Sequence, residues 1–139
     1  MAGEDYGWPA LSGFPPEASG TVGPVALFSP STATAGLALS TSDTFCGYEG
    51  GLFAAQFGSF TDPRIGRRVV FVRMLGRHAV EVEEFATGFG RPLDVAVGPE
   101  GDLYVADFSN AFFRPGSGRI WRIRPVDSDA DGTPDVCEE

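Results

Sequence analysis

The sequence predicts an all-β protein, and three observations lead to this fold class. Short apolar runs alternate with turns rich in Gly, Pro, Asn and Ser, a pattern typical of short strands. No stretch has the apolar period of an amphipathic helix. Residues 50–57 and 68–73 resemble residues 101–108 and 119–124, so that one shift of 51 positions aligns two separate strands. A repeat of this kind indicates two related β units.

The later unit is predicted to contain three strands, Leu93–Val97, Leu103–Ala106 and Ile120–Ile123. Residues 98–102, GPEGD, suit a tight reversal between the first two, because Pro fixes its φ and Gly tolerates positive φ. The result is an antiparallel meander. Such a meander has an apolar face to bury and exposed edges, so it requires a neighbouring sheet.

The earlier unit supplies that neighbour, with four predicted strands at Ala35–Leu39, Gly51–Phe57, Arg68–Met74 and Ala79–Phe85. Pro24–Phe28 is predicted as a further strand leading into this unit. Repeats of roughly 40–50 residues built from short strands are typical of β-propeller blades. Residues 1–125 are therefore predicted to form a partial β-propeller: one complete four-stranded blade, one three-stranded blade and flanking loops. Because propellers close with roughly four to eight blades, we expect a fragment of a larger ring.

Charge and length exclude several classes of protein. The chain has 139 residues, a formal net charge of −9, and no Lys among its ten basic residues. An acidic surface of this kind argues against nucleic acid and anionic membranes as partners. No apolar window approaches the roughly 18 residues of a membrane span. Residues 1–13 lack the basic and apolar regions of a secretory signal, so any such signal is expected upstream.

The tail, residues 126–139, has the spacing of a calcium loop. Acidic residues stand at positions 1, 3, 5, 9 and 12 of the loop: Asp127, Asp129, Asp131, Asp135 and Glu138. Gly132, at position 6, permits the sharp turn that lets alternate carboxylates converge on one ion. With Pro134 and Cys137, the pattern is similar to a thrombospondin type 3 repeat, which implies an extracellular calcium site. The alternative is a solvated acidic terminus.

The two cysteines leave their pairing open. Cys46 lies in a predicted turn and Cys137 in the acidic tail. They can pair with each other or with cysteines outside this chain, and two cysteines alone do not define the redox compartment.

Several segments resemble the motifs of a known family and occur in the same order along the chain. Gly3–Pro9 (GEDYGWP) resembles G-x-N-Y-G-W-P, Gly50–Ser59 resembles G-x-L-F-V-A-x-x-G-S, and Gly90–Asp107 resembles R-x-x-D-V-A-x-G-P-D-G-x-L-Y-V-x-D. Together, residues 3–125 resemble the C-terminal part of soluble glucose/sorbosone dehydrogenases. These are six-bladed β-propellers that oxidise aldoses with pyrroloquinoline quinone (PQQ). The resemblance implies PQQ, a sugar substrate, an electron acceptor, further propeller blades and a periplasmic or secreted location.

The resemblance assigns one cofactor residue and no catalytic residue. Arg91 matches the first arginine of the R-x-R-D motif that neutralises the carboxylates of PQQ, although a structural role is equally open. Leu93 replaces the second arginine, and no Lys stands near Gly58, where classical members have one. The family's catalytic base is a His in an early blade. His78, the only His of this chain, does not match it and is interpreted as a surface residue.

Two functions remain open on this basis. The first is an oxidoreductase in which the complete protein oxidises an aldose at C1 with PQQ, while the present chain alone is inactive. The second is a non-catalytic secreted propeller for binding or adhesion, with a calcium-binding repeat. Leu93 and the absence of Lys favour the second, whereas the ordered motifs favour the first.

Overall fold

A computed structural model describes residues 3–41, 44–111 and 114–138. The described chain is almost entirely β, with two short 3-10 turns at Glu17–Ser19 and Asp135–Cys137 and no α-helix. No described helix is long and apolar enough to cross a bilayer. The prediction of an all-β chain is confirmed.

The first sheet contains four antiparallel strands in the order β1-β2-β3-β4. Their bounds are β1 Thr34–Leu39, β2 Leu52–Gln56, β3 Arg68–Leu75 and β4 His78–Ala86. Every predicted strand of this unit is present to within one residue at each end. Each strand pairs with its neighbours along the chain, which is the arrangement of one complete propeller blade.

The second sheet contains three antiparallel strands in the order β5-β6-β7. Their bounds are β5 Pro92–Val97, β6 Leu103–Asp107 and β7 Arg119–Ile123. The repeat holds in three dimensions, because β2 and β6 are each the second strand of their sheet and lie 51 residues apart. The partial propeller of one four-stranded and one three-stranded blade is therefore confirmed.

One predicted strand is wrong. Residues 24–28 are irregular, and Val25 and Leu27 are half exposed. Pro24 has no N–H to donate to a ladder, and β1 is the edge strand of its sheet with β2 as its only described partner. Residues 24–28 therefore form an apolar loop.

The core lies between the two sheets. Phe53 and Phe71 of the first sheet pack toward Val95, Leu103 and Val105 of the second. Alternate residues of a strand point to opposite faces, so each sheet contributes every second side chain to this layer. The aromatic residues Tyr6, Trp8 and Phe14 of the N-terminal loop are not part of this core and are exposed.

The first sheet and the second sheet approach each other closely at their innermost strands. Gly36 of β1 lies against Asp94 of β5, and a Cβ at Gly36 would be 2.4 Å from the Asp94 Cα and 2.1 Å from its Oδ1. Only a residue without a side chain fits at this distance. The glycine therefore sets the spacing between the blades.

Candidate functional site

The strands define two edges of the molecule. At the upper edge, β1, β3, β5 and β7 begin, and at the lower edge they end. The upper edge carries the β2–β3 loop, residues 57–67, and the segment that leads into β5. The lower edge carries residues 40–41 and 44–51 and the start of the acidic tail. The predicted cofactor residue and the predicted calcium loop fall on opposite edges.

Arg91 lies at the upper edge, immediately before β5, and is 4% exposed. Its Nη1 donates hydrogen bonds to the carbonyl oxygens of Ser59 (3.1 Å) and Gly58 (3.4 Å). The guanidinium carbon lies 4.8 Å from the ring centroid of Phe57 and 4.6 Å from that of Phe60. These cation–π and polar contacts join the β2–β3 loop of the first blade to the second blade.

The environment of Arg91 favours an anion. Burial lowers the pKa of Arg91 below its ordinary value, and the positive charge of Arg67 lowers it further. The two causes are distinct, loss of hydration and repulsion by a like charge, but both disfavour the charged form of Arg91. An anionic group at this edge would offset both, and a carboxylate matches the planar fork of a guanidinium. The residues present therefore fit a carboxylate-bearing cofactor.

Asp107, at the end of β6, fixes the backbone at Arg91. Its carboxylate accepts hydrogen bonds from the backbone N–H groups of Arg91 (2.6 Å), Gly90 (2.9 Å) and Ser109 (2.9 Å), and from the Trp121 indole Nε1 (3.1 Å). Burial alone raises the pKa of Asp107, but these four hydrogen bonds outweigh it and lower the pKa below its ordinary value. Asp107 is therefore an ionised anchor for the segment that carries Arg91.

Leu93, at the position of the second arginine of the family motif, has no charge to contribute. Leu93 is 41% exposed on β5, beside Ala106 and Ile120 on the outer face of the second sheet. Asp94, the next residue of the motif, accepts a hydrogen bond at Oδ1 from its neighbour's N–H, Val95 N (2.9 Å). This hydrogen bond indicates that Asp94 orders the start of its own strand.

His78, the only histidine, lies away from Arg91. It is exposed and is the first residue of β4, at the lower edge. The residue that sequence reasoning missed at the upper edge is Arg67, which follows Gly66 just before β3. Its only signal in the sequence is the pair Arg67-Arg68 at the end of a Gly-containing loop.

Three acidic residues of the tail come together. Ligand oxygens of Asp127, Asp129 and Asp131 lie within 4.8 Å of one another. Asp135 instead accepts hydrogen bonds from the Ser128 Oγ (2.6 Å) and N (2.7 Å), which lower the pKa of Asp135. Glu138 is exposed and stands outside the cluster of three.

A disulfide joins the tail to the first blade. Cys46 and Cys137 are bonded, with Cα atoms 5.3 Å apart, and lie 91 positions apart in the sequence. Of the two pairings left open by the sequence, the intrachain bond is the one formed. Phe45, beside Cys46, is buried in the aromatic cluster of the core, so the tail is fixed to a well-packed turn.

Two face-packed antiparallel sheets of this kind define part of a β-propeller, and the similarity of the chain to known proteins identifies which propeller. The family model of glucose/sorbosone dehydrogenases matches residues 1–112. The chain belongs to the glucose/sorbosone dehydrogenase family. No curated protein sequence matches it significantly.

Solved structures agree with the family. The chain superposes on a glucose dehydrogenase with a TM-score of 0.68 at 21% identity, covering 90% of this chain and 35% of that one. A PQQ-bound aldose sugar dehydrogenase from Streptomyces coelicolor gives 0.64 at 26% identity, covering 88% and 34%. The apo form of the soluble aldose sugar dehydrogenase from Escherichia coli gives 0.64 at 25%, covering 89% and 36%. The chain thus spans about a third of the length of these proteins.

Proposed function

We propose that this chain is part of a PQQ-dependent dehydrogenase that oxidises aldose sugars at C1. The observation that carries the proposal is the buried Arg91, which donates a hydrogen bond to the carbonyl oxygen of Gly58 while Arg67 packs against the same glycine, in a chain of this family. The similar protein from Streptomyces coelicolor is described as PQQ-bound, which supports the choice of cofactor. When bound, PQQ would accept the two electrons released as the sugar is oxidised.

In this proposal the chain binds and positions the cofactor and does not act as the base. Arg91 and Asp107 organise the upper edge, and the positive charge there neutralises carboxylates. His78 lies at the opposite edge, so the base comes from residues beyond this chain, as does the acceptor that reoxidises the cofactor. The chain by itself is therefore expected to be inactive. A periplasmic or secreted location accords with the disulfide, since such bonds persist in oxidising compartments.

Equilibrium dialysis of PQQ against the purified chain tests the cofactor assignment. We expect Arg91→Gln to weaken binding by about tenfold or more, because a charge-assisted contact is lost. Arg91→Lys should weaken it less, and Arg119→Gln, an exposed control stacked on Trp121, should leave it within about twofold. If the chain retains no PQQ, or if Arg91→Gln retains as much as wild type, the cofactor assignment is wrong.

Dye reduction tests the reaction. With PQQ, calcium and a panel of aldoses, we expect no turnover by the chain alone and turnover by a polypeptide that carries the remaining blades. Turnover that requires an aldose with a free C1 would support oxidation at that carbon. Tight PQQ binding without dye reduction by the longer polypeptide would contradict the proposed reaction.

The second candidate function is a non-catalytic secreted propeller for binding or adhesion. Leu93 favours it, because an exposed apolar residue stands where the family motif has its second arginine. Failure of both the chain and the longer polypeptide to bind PQQ would favour this function over the first.

We also propose that the tail binds calcium through Asp127, Asp129 and Asp131, with Asp135 and Glu138 completing the set. The convergence of three carboxylate oxygens supports this assignment. Calcium at a hundredfold excess over its Kd should stabilise the chain by about 2.7 kcal/mol, measured as a rise in Tm. Asp129→Asn with Asp131→Asn should abolish the rise, whereas Glu17→Gln, an exposed acid elsewhere, should preserve it. An equal rise in all three proteins would contradict a site in the tail.

A further inference from the structure

Arg67 has an unusual backbone conformation for its residue type. Its φ is +57°, in the left-handed region, although it carries a long side chain. Non-glycine residues are uncommon in this region, and positions of this kind cluster at binding sites. The backbone conformation therefore makes Arg67 a candidate binding residue.

The side chain of Arg67 carries a buried donor that the described residues do not use. Its Nε is enclosed and has no hydrogen-bond partner within residues 3–41, 44–111 and 114–138. Buried polar groups are almost always paired, because a donor removed from water loses the hydrogen bonds that water provided. An acceptor from outside the described residues would satisfy it.

Gly58 brings Arg67 and Arg91 to the same place. A Cβ at Gly58, whose φ is +94°, would lie 2.9 Å from the Arg67 Cγ and 2.6 Å from the Ile65 carbonyl oxygen. The Gly58 carbonyl oxygen also accepts a hydrogen bond from Arg91 Nη1 (3.4 Å). Because Gly58 has no side chain, the aliphatic part of Arg67 can pack against it while its carbonyl oxygen binds Arg91.

The two arginines are also electrostatically coupled. Burial is the larger cause of the lowered pKa of Arg91, and the positive charge of Arg67 contributes to it as well. Arg64, in the same loop, differs in this respect. It is exposed and forms an ion pair with Asp62 (2.8 Å), so it adds little field at the site.

We propose that Arg67 supplies the second guanidinium that binds the carboxylates of the cofactor, the role for which the family motif has an arginine and this chain has Leu93. The inference rests on the proposed function. Two arginines hold a carboxylate-rich planar molecule better than one, since each presents a fork of parallel donors. In this chain the pair is formed by residues from neighbouring blades, Arg67 from the first and Arg91 from the second.

NMR of the arginine side chains tests whether Arg67 binds the ligand. The purified chain, labelled with ¹⁵N at arginine, is titrated with PQQ and separately with pyridine-2,4,6-tricarboxylate, while the Nε–Hε resonances are recorded. We expect the Arg67 resonance to shift with both probes and the Arg64 resonance to stay in place. PQQ affinity should fall about tenfold or more in Arg67→Gln, less in Arg67→Lys, and by less than about twofold in Arg64→Gln.

The outcomes separate this inference from the proposed function. If PQQ binds to wild type but the Arg67 resonance does not move, or Arg67→Gln binds as tightly, the role of Arg67 is wrong and the cofactor assignment survives. If only the tricarboxylate binds and shifts Arg67, the anion site stands and PQQ is the wrong cofactor. If neither probe binds, both are wrong. Should Arg67→Gln fail to fold, the resonance shift and Arg67→Lys decide the question.

Discussion

Asp107 connects all three strands of the second sheet through one side chain. Its carboxylate accepts hydrogen bonds from the segment before β5, from the residue two positions beyond its own strand and from Trp121 of β7. Hydrogen bonds to a charged acceptor are stronger than those between neutral groups. The backbone position of Arg91 therefore depends on Asp107.

Asp107→Asn is expected to destabilise the chain by about 2–4 kcal/mol, because a neutral amide replaces an ionised acceptor that is buried among donors. Urea unfolding measures this loss, and the emission of Trp121 reports the loosened indole contact. Asp62→Asn is a suitable control, since Asp62 forms a surface ion pair with the exposed Arg64 and its loss should leave the stability nearly unchanged. Equal losses in the two variants would contradict the anchoring role.

Asp107 also predicts how stability depends on pH. Its pKa is lower in the folded chain than the ordinary 3.8, so the folded state binds its proton less readily than the unfolded state. The contribution of Asp107 is therefore fully present above pH 3.8 and is lost as pH falls through the depressed folded pKa. Unfolding measured between neutral and acidic pH should show a steeper loss below this point in wild type than in Asp107→Asn. Parallel profiles would contradict the assignment.

At the same scale, the sequence predicts Arg91 as a cofactor residue, includes Asp107 in the same motif without a role, and gives Arg67 no role. Arg91 stands in a family motif, so a resemblance can mark it. The role of Asp107 arises from donors that come from three separate segments, and that of Arg67 from a left-handed turn and a neighbouring blade. These are properties of the tertiary structure, and no local pattern encodes them.

At the scale of elements, the strands were predictable because each is a short apolar run between turn residues, and two of them recur at one offset. Every strand of both sheets lies within one residue of its predicted bounds. Pro24–Phe28 was predicted wrongly because an apolar run does not by itself provide the backbone partner that a strand needs. The pairing of the cysteines likewise depended on how the tail folds back.

Gly36→Ala tests the contact between the innermost strands of the two blades. The added methyl group would collide with the Asp94 backbone, so we expect a loss of about 1–3 kcal/mol in the free energy of unfolding. Gly118→Ala is a matched control, because its Cβ would meet only the Asp107 carbonyl oxygen at an ordinary 3.6 Å. Chemical denaturation compares the two. A loss in Gly118→Ala as large as in Gly36→Ala would show that the blade spacing is not the cause.

At the scale of the whole molecule, the disulfide closes a long loop around both sheets. The bonded residues lie 91 positions apart, with all strands from β2 to β7 between them. In the chain-entropy account, a cross-link of this span stabilises the folded state by at most about 4–5 kcal/mol through the unfolded chain. Cys46→Ser with Cys137→Ser should therefore lower Tm markedly.

Reduction of the wild-type disulfide provides the check on this prediction. Treatment with a reductant should lower the Tm of wild type to that of the double variant and leave the double variant unchanged. If the variant is as stable as oxidised wild type, the bond serves only to hold the tail.

The placement of the acidic tail and of the Arg67–Arg91 pair on opposite edges bears on how the two ligands would influence each other. Thermodynamic linkage between two ligands requires that each biases a structural state that the other also senses. The sheets between the two edges share one packed core. We therefore expect a coupling free energy near zero between calcium and PQQ. PQQ affinity should be the same within about twofold in the presence of calcium and in the presence of a chelator. Calcium binding would then stabilise the chain without changing how it binds the cofactor.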